Sequence, residues 1–80
     1  MRFKVAEVTE WPEGWVVIGE FRESGQASGT RLGGCAVRQI PTPAELVRER
    51  PQHTFRSIFL LLHAKDRLRF KRGQMVLLES

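Results

Sequence analysis

The sequence predicts a mainly β, single-domain protein: a small antiparallel β-barrel of six to seven strands with a short helix near residues 43–50. Three observations carry that expectation. Short runs rich in Val, Ile, Leu and aromatic residues recur between glycine-containing breaks. Helix-capping chemistry occurs at one place, Thr42-Pro43-Ala44-Glu45. The chain has 80 residues, room for one core and no second.

The elements follow in order. Arg2–Thr9 mixes Phe3, Val5 and Val8 with charged residues; it alternates at Phe3-Lys4-Val5 and slips afterwards. Trp11-Pro12-Glu13-Gly14-Trp15 reads as a hairpin turn. Pro12 presets φ for the first corner, and Gly14 accepts the left-handed conformation before the chain re-enters a strand. Trp15-Val16-Val17-Ile18 is the strongest strand signal of the first half and continues through Gly19 to Arg22. Ser24–Gly29 turns, Thr30–Leu32 is a short piece, Gly33-Gly34 breaks it, and Cys35–Ile40 resumes as a strand. Short strands at this spacing fit a barrel or a sandwich.

The second half changes character. Thr42 suits an N-cap, Pro43 the first helical position, and Glu45 completes a Thr-x-x-Glu capping box. Ala44–Arg50 then makes two turns, and Pro51 ends them. A helix this short is marginal alone, so it needs packing through Leu46 or Val47; an irregular excursion is the alternative. Phe55–His63 is a nearly continuous apolar run centred on Ile58-Phe59-Leu60-Leu61-Leu62. As a strand it is buried on both faces or covered by a partner, and a buried helix is the competing assignment. Asp66–Lys71 alternates, with Leu68 and Phe70 on one side and Lys65, Arg67, Arg69 and Lys71 on the other. Arg72-Gly73-Gln74 turns, and Met75–Leu78 closes the barrel.

Composition narrows the function classes. Hydrophobic residues make up 41% and charged residues 28%, a globular balance and not a disordered one. A single Cys forms no internal disulfide, and no signal-peptide pattern opens the sequence; the expectation is a reducing, cytosolic setting. No apolar stretch reaches about 18–20 residues, so no membrane span is expected. Net charge is +4. It runs from −2 over the segment ending at Glu23 to +4 over the segment beginning at Thr54, which suits an anionic partner for the C-terminal part.

The basic row is the sharpest functional signal. On a strand, Lys65, Arg67, Arg69 and Lys71 would project from one face roughly 6.6 Å apart, close to the phosphate spacing of a nucleic-acid strand. Arg72 extends the row, and Arg56 joins it if Phe55–His63 pairs alongside. The plainer explanations are charge that protects a sheet edge and charge that serves solubility. Trp11 and Trp15 flank the first turn, where they can stack bases or anchor a protein, or else cover the barrel end as a cross-turn aromatic pair.

No active site is legible. His53, His63 and the lone Cys35 do not make a zinc set, and Cys35 is best placed as a small core residue. A Cys–His pair would lack an orienting third group. Glu7, Glu10 and Glu13 form no catalytic carboxylate pair. The expected protein is not an enzyme and needs no cofactor or metal.

Read together, Phe3-x-Val5-x-x-Val8, the Gly14 turn, Val16-Val17-Ile18-Gly19, Gly29-x-x-Leu32, Phe55-x-Ser57-Ile58 and Lys71-Arg72-Gly73-Gln74-Met75-Val76-Leu77-Leu78 resemble a known domain. It is the β-barrel second domain of the GTP-dependent translation factors, the elongation factor Tu domain 2 type. The likeness spans nearly the whole chain. It departs from the family pattern at Gly25, one position late, and at Gln74, where an acid usually follows the glycine. No Gly-x-x-x-x-Gly-Lys-Ser/Thr phosphate loop is present in the sequence, so the expectation is a barrel without the family's GTPase domain. The resemblance implies a binding barrel; in the family the corresponding hairpin region helps hold the end of a charged transfer RNA, and no specific polar contact carries over. Two functional expectations result. The first is a binding module for RNA or a ribonucleoprotein, and the second a protein-interaction or homodimerisation module using the apolar 58–62 strand.

Overall fold

Turn chemistry sets the strand order. The computed structural model describes residues 2–21, 29–53 and 57–79. Strand β1 (Arg2–Trp11) and strand β2 (Gly14–Phe21) form a hairpin across Pro12-Glu13, with Gly14 at φ +151° as its position in the turn requires. Strands β3 (Arg31–Leu32) and β4 (Cys35–Ile40) are joined by Gly33-Gly34 at φ +56° and +86°. Positive φ at both central residues is the type I′ turn whose twist matches antiparallel strands, and glycine adopts it without strain. Strand β5 (Ile58–Leu62) and strand β6 (Met75–Glu79) complete a closed barrel in the order β1-β2-β5-β4-β3-β6. Every neighbouring pair is antiparallel.

The slip read after Val5 is a register shift between Val5 and Glu7 against β2. Val5 pairs with Gly19 there. A Cβ on Gly19 would lie 2.2 Å from the Lys4 carbonyl oxygen and 2.6 Å from Phe3 Cζ, so only glycine lets the two strands approach this closely.

Two apolar clusters result from the two faces of the sheet. Inside the barrel lie Phe3, Val5, Val17, Leu32, Leu60, Leu62, Phe70 and Leu78, with Cys35 among them. Outside, Val16, Ile18 and Phe59 are covered by Leu46 of helix α1 (Ala44–Glu49), with Trp11, Ile40, Val47 and Leu61 around them. The Ile58–Leu62 run is therefore a strand, and its double-sided apolarity is used within one chain: Leu60 and Leu62 inward, Phe59 and Leu61 under α1.

Two local expectations are corrected. Thr42 is not the helix cap. Pro43 occupies that position with φ −75° and ψ 117°, and no side chain caps the helix. The helix holds by packing Leu46, as its length demands. Residues Asp66–Lys71 are not a strand: Ala64–Arg69 form a 3-10 helix. In the closed barrel β5 lies between β2 and β4, and β6 between β3 and β1, so the connecting segment has no strand to pair with. It satisfies its backbone locally while crossing the barrel mouth. The two-residue pattern fails accordingly: Phe70 is 7% exposed and Leu68 is 80% exposed. The Ser24–Gly29 turn, with Gly25, and the start of the apolar run at Phe55 lie outside the described residues up to Gly29 and Ser57.

Candidate nucleic-acid interface

The β5–β6 connection forms a cap over the barrel mouth. Three residues per turn place positions i and i+3 on one side of the 3-10 segment, and the contacts follow that spacing. Arg67 Nη1 donates to the Ala64 carbonyl at 3.0 Å, and its guanidinium carbon lies 5.8 Å from the centre of the Trp15 ring. Arg69 Nε lies 3.2 Å from Asp66 Oδ1. Asp66 is the one buried charged residue among the described residues, and its N–H donates to the His63 carbonyl at 2.9 Å. Phe70 enters the barrel interior and anchors the far end of the helix.

A tight turn follows. The Gln74 N–H donates to the Lys71 carbonyl at 3.1 Å, and Gln74 Oε1 accepts from the Lys71 N–H at 3.0 Å. Two backbone bonds pin this turn to β1: Gly73 N–H to the Val5 carbonyl at 2.7 Å, and Val5 N–H to the Gln74 carbonyl at 2.8 Å. The backbone of Lys71 and Arg72 is thus fixed while both side chains are exposed. Arg72 and Lys4 border a cleft of about 570 Å³ along the β1 bulge, with Glu7, Glu20 and Gln52 on its walls.

Charge concentrates on this cap. Residues 64–74 carry Lys65, Arg67, Arg69, Lys71 and Arg72 against Asp66. The other eight cations and eight acids of the chain cancel, so the segment holds the whole net charge of +4. Of its five cations, Arg67 is engaged with Trp15 and Ala64, and Arg69 with Asp66. Among the described residues Lys65, Lys71 and Arg72 have no carboxylate within ion-pair distance.

The anticipated site residues are thus brought together in part. Lys65, Arg67, Arg69, Lys71 and Arg72 share one connection but do not form a strand-spaced row. Arg56 lies outside the described residues. Trp11 and Trp15 are not a cross-turn pair, because they face opposite sides of the sheet. Trp15 packs on the interior cluster beneath Arg67, and Trp11 packs on the outer cluster beside Leu46.

One organising residue had no sequence signal. Arg50, at the end of α1, hydrogen-bonds Glu7 Oε2 through Nε, Glu49 Oε2 through Nη1 at 3.0 Å and Thr9 Oγ1 through Nη2 at 3.0 Å. Glu7 and Thr9 lie on β1, so Arg50 latches the helix to the barrel. The Glu7 hydrogen bond holds its guanidinium above the ordinary range, against the opposing effect of burial. Among the described residues no group of three His, Cys, Asp or Glu side chains is placed to hold a metal ion, and Cys35 is buried and unpaired. No helix there is long and apolar enough to cross a membrane.

Fold and surface together define a closed six-stranded β-barrel with a basic cap. No family model matches the chain, and no curated protein and no solved structure matches it.

Proposed function

We propose that the protein is a non-enzymatic binding module that holds RNA or a ribonucleoprotein on its basic cap. The observation that carries this reading is the placement of the entire net charge on the connection between β5 and β6. Protection of a sheet edge does not account for these cations, because they are not on a strand. Lys65, Lys71 and Arg72 are exposed, and the last two stand on a turn whose backbone is hydrogen-bonded in place. Cations on a fixed backbone neutralise phosphates without first ordering a loop. The likeness of the sequence to the translation-factor barrel supports the same class of partner.

The alternative of a homodimer through residues 58–62 has less support. The barrel interior and α1 take up the two faces of that run.

The test is RNA binding measured across a salt series for the wild type and a Lys71→Ala/Arg72→Ala variant. Each phosphate contact on a single strand contributes about 0.7 to the slope of log affinity against log salt. The double variant should bind more weakly at every salt concentration, with a slope lower by roughly 1.4. Binding that ignores salt, or an unchanged variant, would remove the cap as the site.

A further inference from the structure

Leu68 is the most exposed large apolar side chain among the described residues. Its position is not accidental to the cap. Arg67 is turned onto Trp15, Asp66 is buried, and Phe70 fills the barrel mouth, so the 3-10 geometry leaves Leu68 outward on the same side as Lys65. Arg67 and Arg69 flank it in sequence. It contributes nothing to the core, and phosphate contacts have no use for an aliphatic side chain.

We propose that Leu68 is a wedge, and that the cap engages RNA where a base step is already open, at a bulge, loop or helix end. This rests on the RNA reading given above. Phosphate contacts are indifferent to base stacking, so Lys65, Lys71 and Arg72 supply affinity without discrimination. An open step exposes apolar base faces to water. Leu68 covers such a face, with cations on either side for the flanking phosphates. In a continuous duplex the same insertion must first unstack a step, which opposes binding. The leucine therefore selects the site and the cations hold it. An anionic lipid surface also suits an aliphatic residue among cations, but interfacial binding draws on a whole apolar helix face. The cap helix is six residues long and turns Asp66 inward, leaving one leucine outside.

The experiment compares two RNA duplexes of equal length and identical ends, one continuous and one with a single-nucleotide bulge beside a 2-aminopurine. Binding is followed by anisotropy and base fluorescence. Vesicles of phosphatidylcholine with phosphatidylserine form a third arm. The wild type should favour the bulged duplex roughly tenfold, the change expected if about half of the leucine side chain is covered. Its binding should also change the 2-aminopurine emission. Leu68→Ser should abolish both the preference and the emission change, while keeping the affinity for the continuous duplex and its salt slope. Lys71→Ala/Arg72→Ala should weaken both duplexes equally. Equal binding of the two duplexes by the wild type, or a preference that survives Leu68→Ser, overturns the wedge and leaves the RNA reading standing. No salt-dependent binding of either duplex overturns both. Vesicle binding lost on Leu68→Ser, without RNA binding, assigns the leucine to a lipid surface instead.

Discussion

Replacing Arg67 with alanine separates the structural cations of the cap from the free ones. Arg67 stacks over Trp15 at 5.8 Å and donates to the Ala64 carbonyl at 3.0 Å. An exposed cation–π contact contributes about 0.5–1 kcal/mol, and a solvent-reachable hydrogen bond adds about 0.5 kcal/mol. The Arg67→Ala variant should therefore lose roughly 1–1.5 kcal/mol of stability. In a domain of this size each kcal/mol moves the melting temperature by about 4–8 °C, which gives a fall of about 4–12 °C. Lys71→Ala/Arg72→Ala should stay within about 0.5 kcal/mol of wild type, because the hydrogen bonds of that turn come from backbone groups and Gln74. The assay is thermal unfolding followed by far-ultraviolet circular dichroism and tryptophan emission. RNA affinity of each variant is then measured well below its midpoint. Arg67→Ala should lower the midpoint and shift the Trp15 emission, with a smaller loss of RNA affinity than the double variant shows. If Arg67→Ala melts like wild type, or if the double variant melts as early as Arg67→Ala, the proposed division of the cap is wrong.

Two further outcomes test the frame that carries the cap. Gly19→Ala should cost about 3 kcal/mol or more, because the added carbon meets backbone at 2.2 Å. Gly34→Ala, with nothing within 4 Å but φ at +86°, should cost only about 1–2 kcal/mol; equal urea midpoints for the two would contradict this. Leu46→Ala should cost about 2–4 kcal/mol and raise the binding of an apolar dye as Val16, Ile18 and Phe59 lose their cover. Unchanged stability and dye binding would show that α1 shields nothing.

Local chemistry was legible wherever one residue type admits few conformations. Pro12 with Gly14 and Gly33 with Gly34 mark the turns that they make, and the slip after Val5 is the bulge. The helix was legible in place but not in its cap. Pro43, extended at ψ 117°, itself stands at the position assigned to Thr42. What could not be read locally depends on neighbours distant in sequence. Leu68 and Phe70 two apart satisfy a strand pattern, and nothing nearby shows that the flanks of β5 and β6 are already occupied. The Arg50 latch spans 43 residues to Glu7 and leaves no pattern in either segment. By charge Arg67 belongs with the other cations of the connection, but its engagement with Trp15 depends on how that connection is placed against β2.

The barrel around that crossing limits which surfaces suit the proposed binding. A closed barrel directs its ladder hydrogen bonds to its own strands, which removes most of the edge that could recruit an extended partner. Its interior holds the apolar cluster that runs from Phe3 to Leu78. The β2–β5 side is closed by α1. Side chains on connections are well suited to recognition when a rigid frame positions them. The cap meets that condition at both ends: Phe70 anchors its helix in the core, and Val5 holds its turn through two backbone bonds. Between those anchors stand Lys71 and Arg72, and just before them Leu68. The positions with the least to do for the fold are the ones with the most exposed charge and apolar surface, which is the arrangement expected of a recognition surface.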